Sequence, residues 1–142
     1  MRRSSVIRAS VLALACALLA VSLSACASTS SLDGTSWRLE GWSLSSLDPQ
    51  GFTITAIFDD GRVGGTSAVN SYGAEYATGS GNAFSVGEVE QTLMAGPDDA
   101  MRAESAYIEL LRASSTYKLN GTTLTLYDAN GNESLSFAAA AE

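Results

Sequence analysis

The sequence predicts an α+β domain, a mainly antiparallel β-sheet or partly closed barrel with one packed α-helix. Three observations lead there. Short segments of alternating hydrophobicity recur between Thr35 and Phe137, separated by turn dipeptides such as Asp60-Gly61 and Asn120-Gly121. One stretch alone, from Asp98 to Arg112, changes to a three-to-four-residue period. With about eight strands and a single helix, the crossovers that a parallel sheet requires are missing.

Trp37, Leu39, Trp42 and Leu44 lay a first strand over Thr35 to Leu44, with a break expected at Gly41. Phe52, Ile54, Ala56 and Phe58 alternate with Thr53, Thr55 and Ile57, which puts the first four on one face of a second strand. Asp60-Gly61 supplies a two-residue hairpin, and Arg62 to Gly65 begins the return. Residues 64–87 hold six glycines, yet Val69, Tyr72, Tyr76, Phe84 and Val86 recur among them. That pattern reads as paired strands with glycines at bulges or tight bends rather than as a linker. Glu88 to Met94 is predicted as a further short strand. Asp98 can cap the helix after Pro97, and Ala100, Ala103, Ala106, Tyr107, Leu110 and Leu111 form its core stripe. Arg102, Glu104, Ser105, Glu109 and Arg112 are assigned to the other faces. The end is a meander: Tyr117 and Leu119, a type I′ turn at Asn120-Gly121, Leu124 and Leu126, a turn at Asp128 to Asn132, then Leu135 and Phe137.

The first thirty residues follow different rules from the rest. Arg2, Arg3 and Arg8 precede any acid, and the apolar run Val11 to Val21 is too short to cross a bilayer core of roughly 30 Å. This is the shape of a secretory signal peptide over 1–25. Leu23-Ser24-Ala25-Cys26 resembles the bacterial lipobox, in which a cysteine takes diacylglycerol and becomes the new N-terminus. Two other readings fit: ordinary cleavage around Ala25-Cys26-Ala27, and an uncleaved anchor. Residues 26–33 are then the lipidated cysteine and a small, polar tether, 34–138 the domain and 139–142 a C-terminal tail. Lipidation at Cys26 makes the bilayer the first partner, on the extracytoplasmic side of the cell envelope.

Composition narrows the chemistry. The 142 residues include no histidine, which removes the Ser-His-Asp and Cys-His relays and the imidazole base. From Cys26 onward five basic residues face fifteen acidic ones, a net charge of −10 that nucleic-acid phosphates would repel. Cys16 and Cys26 are the only cysteines, so the domain carries no disulfide.

Several segments, in order, resemble the META domain, a family that includes a bacterial heat-shock lipoprotein. Gly34-Thr35-Ser36-Trp37-Arg38-Leu39 matches its opening G-T-x-W-x-L, and Phe58 to Gly65 its first hairpin. Asn70, Tyr72 and Tyr76 match its G-C-N-x-Y-x-G-x-Y stretch; Thr92, Met94 and Ala95 match T-x-M-A-C. Met101, Glu104, Tyr107 and Leu111 match its helix, and Tyr117 to Leu126 its last hairpin. Val69 and Gly96 stand where many members carry two cysteines, absent together as expected of a pair; Ala68 and Ala74 replace family glycines. The resemblance implies a stress-related, envelope setting and supplies no catalytic residues.

Candidate sites are few. Asp59-Asp60 and Asp98-Asp99 are better explained by a turn and a helix N-terminus than as catalytic pairs. Asp128-Ala129-Asn130-Gly131-Asn132-Glu133 resembles half a calcium loop without its bidentate acid, and a turn is needed there anyway. Trp42 could sit exposed at a rim. Asn70, Tyr72 and Tyr76 are the candidate binding residues, as a polar groove lined by aromatics; the alternative is an asparagine that satisfies an irregular turn. No catalytic residue, metal or cofactor is expected. The leading expectation is a non-enzymatic lipoprotein that binds another envelope protein or serves as a stress-response accessory. The rivals are a glycan hydrolase using lone carboxylates such as Glu75 or Glu88, and a purely structural stabiliser of envelope assembly.

Overall fold

A computed structural model describes residues 31–140; the leader, Cys26 and the last two residues lie outside the described residues. The strands are β1 (Thr35–Trp42), β2 (Thr55–Asp59), β3 (Arg62–Thr66), β4 (Ser71–Gly79), β5 (Ala83–Val86) and β6 (Glu90–Gln91). The helix α1 (Asp98–Ala113) follows, and β7 (Ser114–Asn120), β8 (Thr123–Asp128) and β9 (Glu133–Ala139) complete the chain. Every pairing is antiparallel. Strand order runs β3-β2-β1-β9-β8-β7-β5-β4, and β4 pairs back onto β3. Eight strands therefore close into a barrel, which leaves none of the eight as a free sheet edge along its whole length.

The inward face is the alternating apolar set of the sequence. Trp37 and Leu39 of β1, Ala56 and Phe58 of β2, Leu124 and Leu126 of β8, and Leu135 and Phe137 of β9 are all buried. Each fully buried leucine or phenylalanine among them contributes about 1.5–3 kcal/mol relative to exposure. The break expected at Gly41 is a register shift of β1 against β9 between Leu39 and Gly41. Leu32, within the stretch expected to be tether, is 1% exposed and belongs to the same core. At the other end, β9 runs one residue into the expected tail, with Ala139 opposite Trp37.

The helix buries Ala103, Tyr107, Ile108 and Leu111. The Tyr107 ring meets Tyr72 of β4 at 5.5 Å and Phe137 of β9 at 6.4 Å. In the closed ring of strands β4 and β9 stand opposite each other, so α1 crosses one mouth and sets Tyr107 near the barrel axis. Pro97, not Asp98, occupies the cap position, and Asp98 and Asp99 fill the first turn, where carboxylates suit the helix dipole.

Two local expectations change. Glu88 to Met94 is paired only at Glu90 and Gln91, because the Thr92 N–H already reaches the carbonyl of Ser71, the first residue of β4. Beyond that point β4 offers no ladder. The β7–β8 turn pairs Asn120 with Thr123, so its central residues are Gly121 and Thr122. Gly121, at φ +59°, leads the turn as in type II′ rather than following Asn120 in type I′. The Asp60-Gly61 hairpin is as expected, with φ of 48° and 73°.

Within the β2–β3 hairpin the two backbones approach very closely at one point. A Cβ on Gly65 would lie 2.5 Å from Thr55 Oγ1 and 2.6 Å from the Thr55 carbonyl oxygen. Backbone on one side cannot yield as a side-chain tip can. Gly65→Ala should therefore destabilise the domain by about 1–3 kcal/mol in urea unfolding, whereas Gly51→Ala, in open space, should cost far less.

Candidate functional site

The four residues Ser67 to Asn70 join β3 to β4 beside the helix. The loop closes on itself, since the Ser67 N–H donates to the Asn70 carbonyl at 2.8 Å, with the Ser67 hydroxyl oxygen 2.9 Å from the same carbonyl. Ala68 stands at φ +80°, a left-handed conformation that a glycine would adopt without steric cost. The backbone expected of a glycine is thus kept without the glycine.

Asn70 is buried and fully engaged. Its Nδ2 donates to Glu104 Oε1 at 2.8 Å and to the Met94 carbonyl at 3.1 Å. Its Oδ1 accepts from Thr92 Oγ1 at 2.8 Å and from the Met94 N–H at 2.7 Å. Glu104 Oε2 accepts from the Asn70 N–H at 2.7 Å and from Ser67 Oγ at 2.8 Å. Burial alone would raise the Glu104 carboxyl, but the donors from Asn70, Ser67 and Val69 outweigh it and hold the group below its ordinary value. One buried carboxylate thus ties α1, the β3–β4 loop and the segment 92–94 together.

Tyr72 points into the barrel. Its hydroxyl donates to the Thr55 carbonyl at 2.9 Å and shares a 2.6 Å hydrogen bond with Tyr107. Burial pushes both phenols up, so each stays protonated at any physiological pH. Tyr76 lies further along β4, its ring 4.9 Å from Phe58 and its hydroxyl 3.5 Å from Asp33 Oδ1. The three candidate binding residues therefore do not line one exposed groove. Asn70 and Tyr72 are spent on internal contacts near α1, and Tyr76 stands apart from them. Glu104 was hidden by its assignment to a solvated face. The signal was present, since it stands four residues before Ile108 and seven before Leu111, inside the apolar stripe.

The other candidates find ordinary places. Trp42 is half-buried, and its indole N–H donates to the Leu47 carbonyl at 2.9 Å. The Asp128 carboxylate accepts from the N–H groups of Asn130 and Asn132 and from Asn132 Nδ2, and those bonds, the Asn132 backbone first, lower its pKa. Among the described residues no cluster of three acidic, histidine or cysteine side chains could hold a metal ion. Glu75 and Glu88 do meet, with Arg62 and Glu90, along a groove of about 270 Å³, where Arg62 pairs with Glu90 at 3.4 Å.

What the network holds up is apolar. Thr92, Leu93 and Met94 pass over the Asn70 side chain, and Leu93 is 97% exposed and Met94 57% exposed. A groove of about 320 Å³ runs beside them, lined also by Ala95 and Met101, with Asn70 and Glu104 among its lining residues.

The profile of the META domain matches residues 30–142. The chain belongs to the META domain family. Among solved structures, an NMR structure of a protein from Burkholderia xenovorans is 26% identical, with a TM-score of 0.63 over 78% of this chain and 85% of that one. A DUF4847 family protein from Bacteroides vulgatus is 12% identical, with a TM-score of 0.56 over 75% of this chain and 93% of that one, a likeness of fold alone. No curated protein matches the chain. Among the described residues no helix is long and apolar enough to cross a membrane.

Membership gives Val69 and Gly96 a meaning. A Cβ built on Gly96 would lie 3.5 Å from Val69 Cβ, at the near end of the span a disulfide bridges. Val69 fills the space that a second side chain at 96 would need, its Cγ2 2.7 Å from that Cβ. Val69→Cys with Gly96→Cys should oxidise spontaneously and stabilise the domain by roughly 3 kcal/mol over its reduced form in urea unfolding.

Glu104→Gln should cost about 2–3 kcal/mol, because an amide cannot accept from all the donors and leaves at least one buried group unpaired. The folded carboxyl lies below its ordinary 4.5, so the folded state binds fewer protons than the unfolded one. Its stabilisation is complete above about pH 4.5 and is lost as pH falls through the folded value. Urea midpoints between pH 3 and pH 7 should show a flatter acid limb in Glu104→Gln than in the wild type.

Proposed function

We propose that this META-family chain is an envelope lipoprotein. Acylation of Cys26 after removal of residues 1–25 holds the barrel on the extracytoplasmic side of the membrane. There the barrel acts as a non-enzymatic binding domain or stress-response accessory for another envelope component. The observation that carries this reading is the direction of the polar groups. The buried polar side chains bond to one another and to backbone, and Asn70 carries an exposed apolar loop. Of these, Asn70, Glu104 and Ser67 form the support beneath the loop, while the Tyr72 hydroxyl is spent on the Thr55 carbonyl and Tyr107. That arrangement suits presenting a surface better than activating a nucleophile or a proton donor.

The address is tested by feeding producing cells an alkyne-tagged fatty acid. The wild-type chain should carry the label and sediment with membranes, and Cys26→Ser should lose both. An unlabelled wild type with a free N-terminus near Cys26 would replace the anchor by ordinary secretion. Turnover of cell-wall glycans by the purified chain, abolished by Glu75→Gln or Glu88→Gln, would replace the binding reading by the hydrolase one.

A further inference from the structure

A lone exposed leucine is unremarkable on a protein surface, but Leu93 is not a loose one. The residues on both sides of it are pinned. The Thr92 N–H donates to the Ser71 carbonyl at 3.0 Å, and Thr92 Oγ1 donates to Asn70 Oδ1. Met94 exchanges two hydrogen bonds with the Asn70 amide. Leu93 is therefore the apex of a three-residue arch whose feet stand on a buried asparagine, which is itself fixed by a buried carboxylate. An apolar group held in one place before binding loses little conformational entropy when it docks, which is how rigid anchor residues contribute affinity.

Along the chain, the charged residues from 88 to 99 have one sign. Glu88 and Glu90 precede the arch and Asp98 and Asp99 follow it, with no cation between residues 88 and 99. Arg62 offsets one of the four carboxylates through its pair with Glu90, and the next cation along the chain is Arg102 on α1. An anionic lipid surface would be repelled by such a rim. A protein pocket with an apolar floor and lysines or arginines at its lip would be attracted to it and guided into register.

We propose that Leu93 and Met94 form a preformed hook that inserts into a basic-rimmed apolar pocket of another envelope protein. The inference deepens the binding reading above and rests on it. A photoreactive phenylalanine analogue placed at position 93 of the full chain, in cells that process it, tests the hook. Control probes go at Ile57 and Lys118. The expected result is one protein adduct at position 93, absent at both controls, whose crosslinked peptide maps to an apolar site flanked by Lys or Arg. Met94→Asp, a change at an exposed side chain, should lower its yield at least tenfold. Asp98→Lys with Asp99→Lys should lower it several-fold, and unchanged circular dichroism should accompany both. Lipid adducts alone at 93 would overturn the proposal in favour of membrane insertion. A protein adduct indifferent to Met94→Asp, or adducts at Ile57 with none at 93, would overturn the hook and leave the binding module standing. Silence at all three positions would remove both.

Discussion

A carboxylate taken out of water must be met by donors, and in this protein that requirement organises everything at one end of the barrel. Glu104 leaves the helix surface and enters a buried niche, where Ser67 and Asn70 supply hydrogens to both of its oxygens. An isolated buried charge would cost several kcal/mol, so none of these partners can be withdrawn separately. The helix is held at its middle turn, the β3–β4 loop is held at both ends, and the arch at Leu93 is held from beneath. Three segments far apart in sequence thus share one electrostatic obligation.

The barrel supplies the frame within which that obligation can be met. Closure between β3 and β4 carries the loop Ser67–Asn70 to the mouth that α1 crosses. Close approach of Gly65 to Thr55 makes the β2–β3 pairing sterically demanding, and β6 extends β4 where β5 has not yet begun to pair. Tyr107 then fills the mouth from above, bonded to Tyr72 and stacked edge-on against Phe137. Aromatic burial of this kind is worth several kcal/mol, and truncations of comparable rings commonly cost about 3–5 kcal/mol. The polar network beside it adds direction to a contact that is otherwise only apolar.

In the family, the pair of cysteines at the positions of Val69 and Gly96 would fasten the β3–β4 loop to the segment leading into the helix. In this chain Val69 packs against Gly96 across the same seam. The arch is instead secured by Asn70, which bonds to both sides of Leu93. Hydrogen bonds of Asn70 and Glu104 secure this seam without a covalent link.

Strands, turns and the single helix were legible in the sequence because their signals are local. Alternation in β2, β8 and β9, the Asp60-Gly61 pair and the periodicity of α1 each lie within a dozen residues. Asn70, Tyr72 and Tyr76 were visible as unusual, but not the use made of them. Proximity along a strand does not say which side chains face the interior, which are already satisfied, or what stands opposite. Glu104 shows the same limit from the other side: a glutamate on a helix reads as solvated until a loop from elsewhere covers it. The sequence by itself therefore determined the secondary elements, the antiparallel class and the family. Closure of the sheet, the burial of Asn70 beneath residues 92–94 and the exposure of Leu93 come from tertiary contacts. Those outcomes depend on contacts between separate elements, 21 to 24 positions apart at the arch and 34 at Glu104, and local patterning carries no record of them.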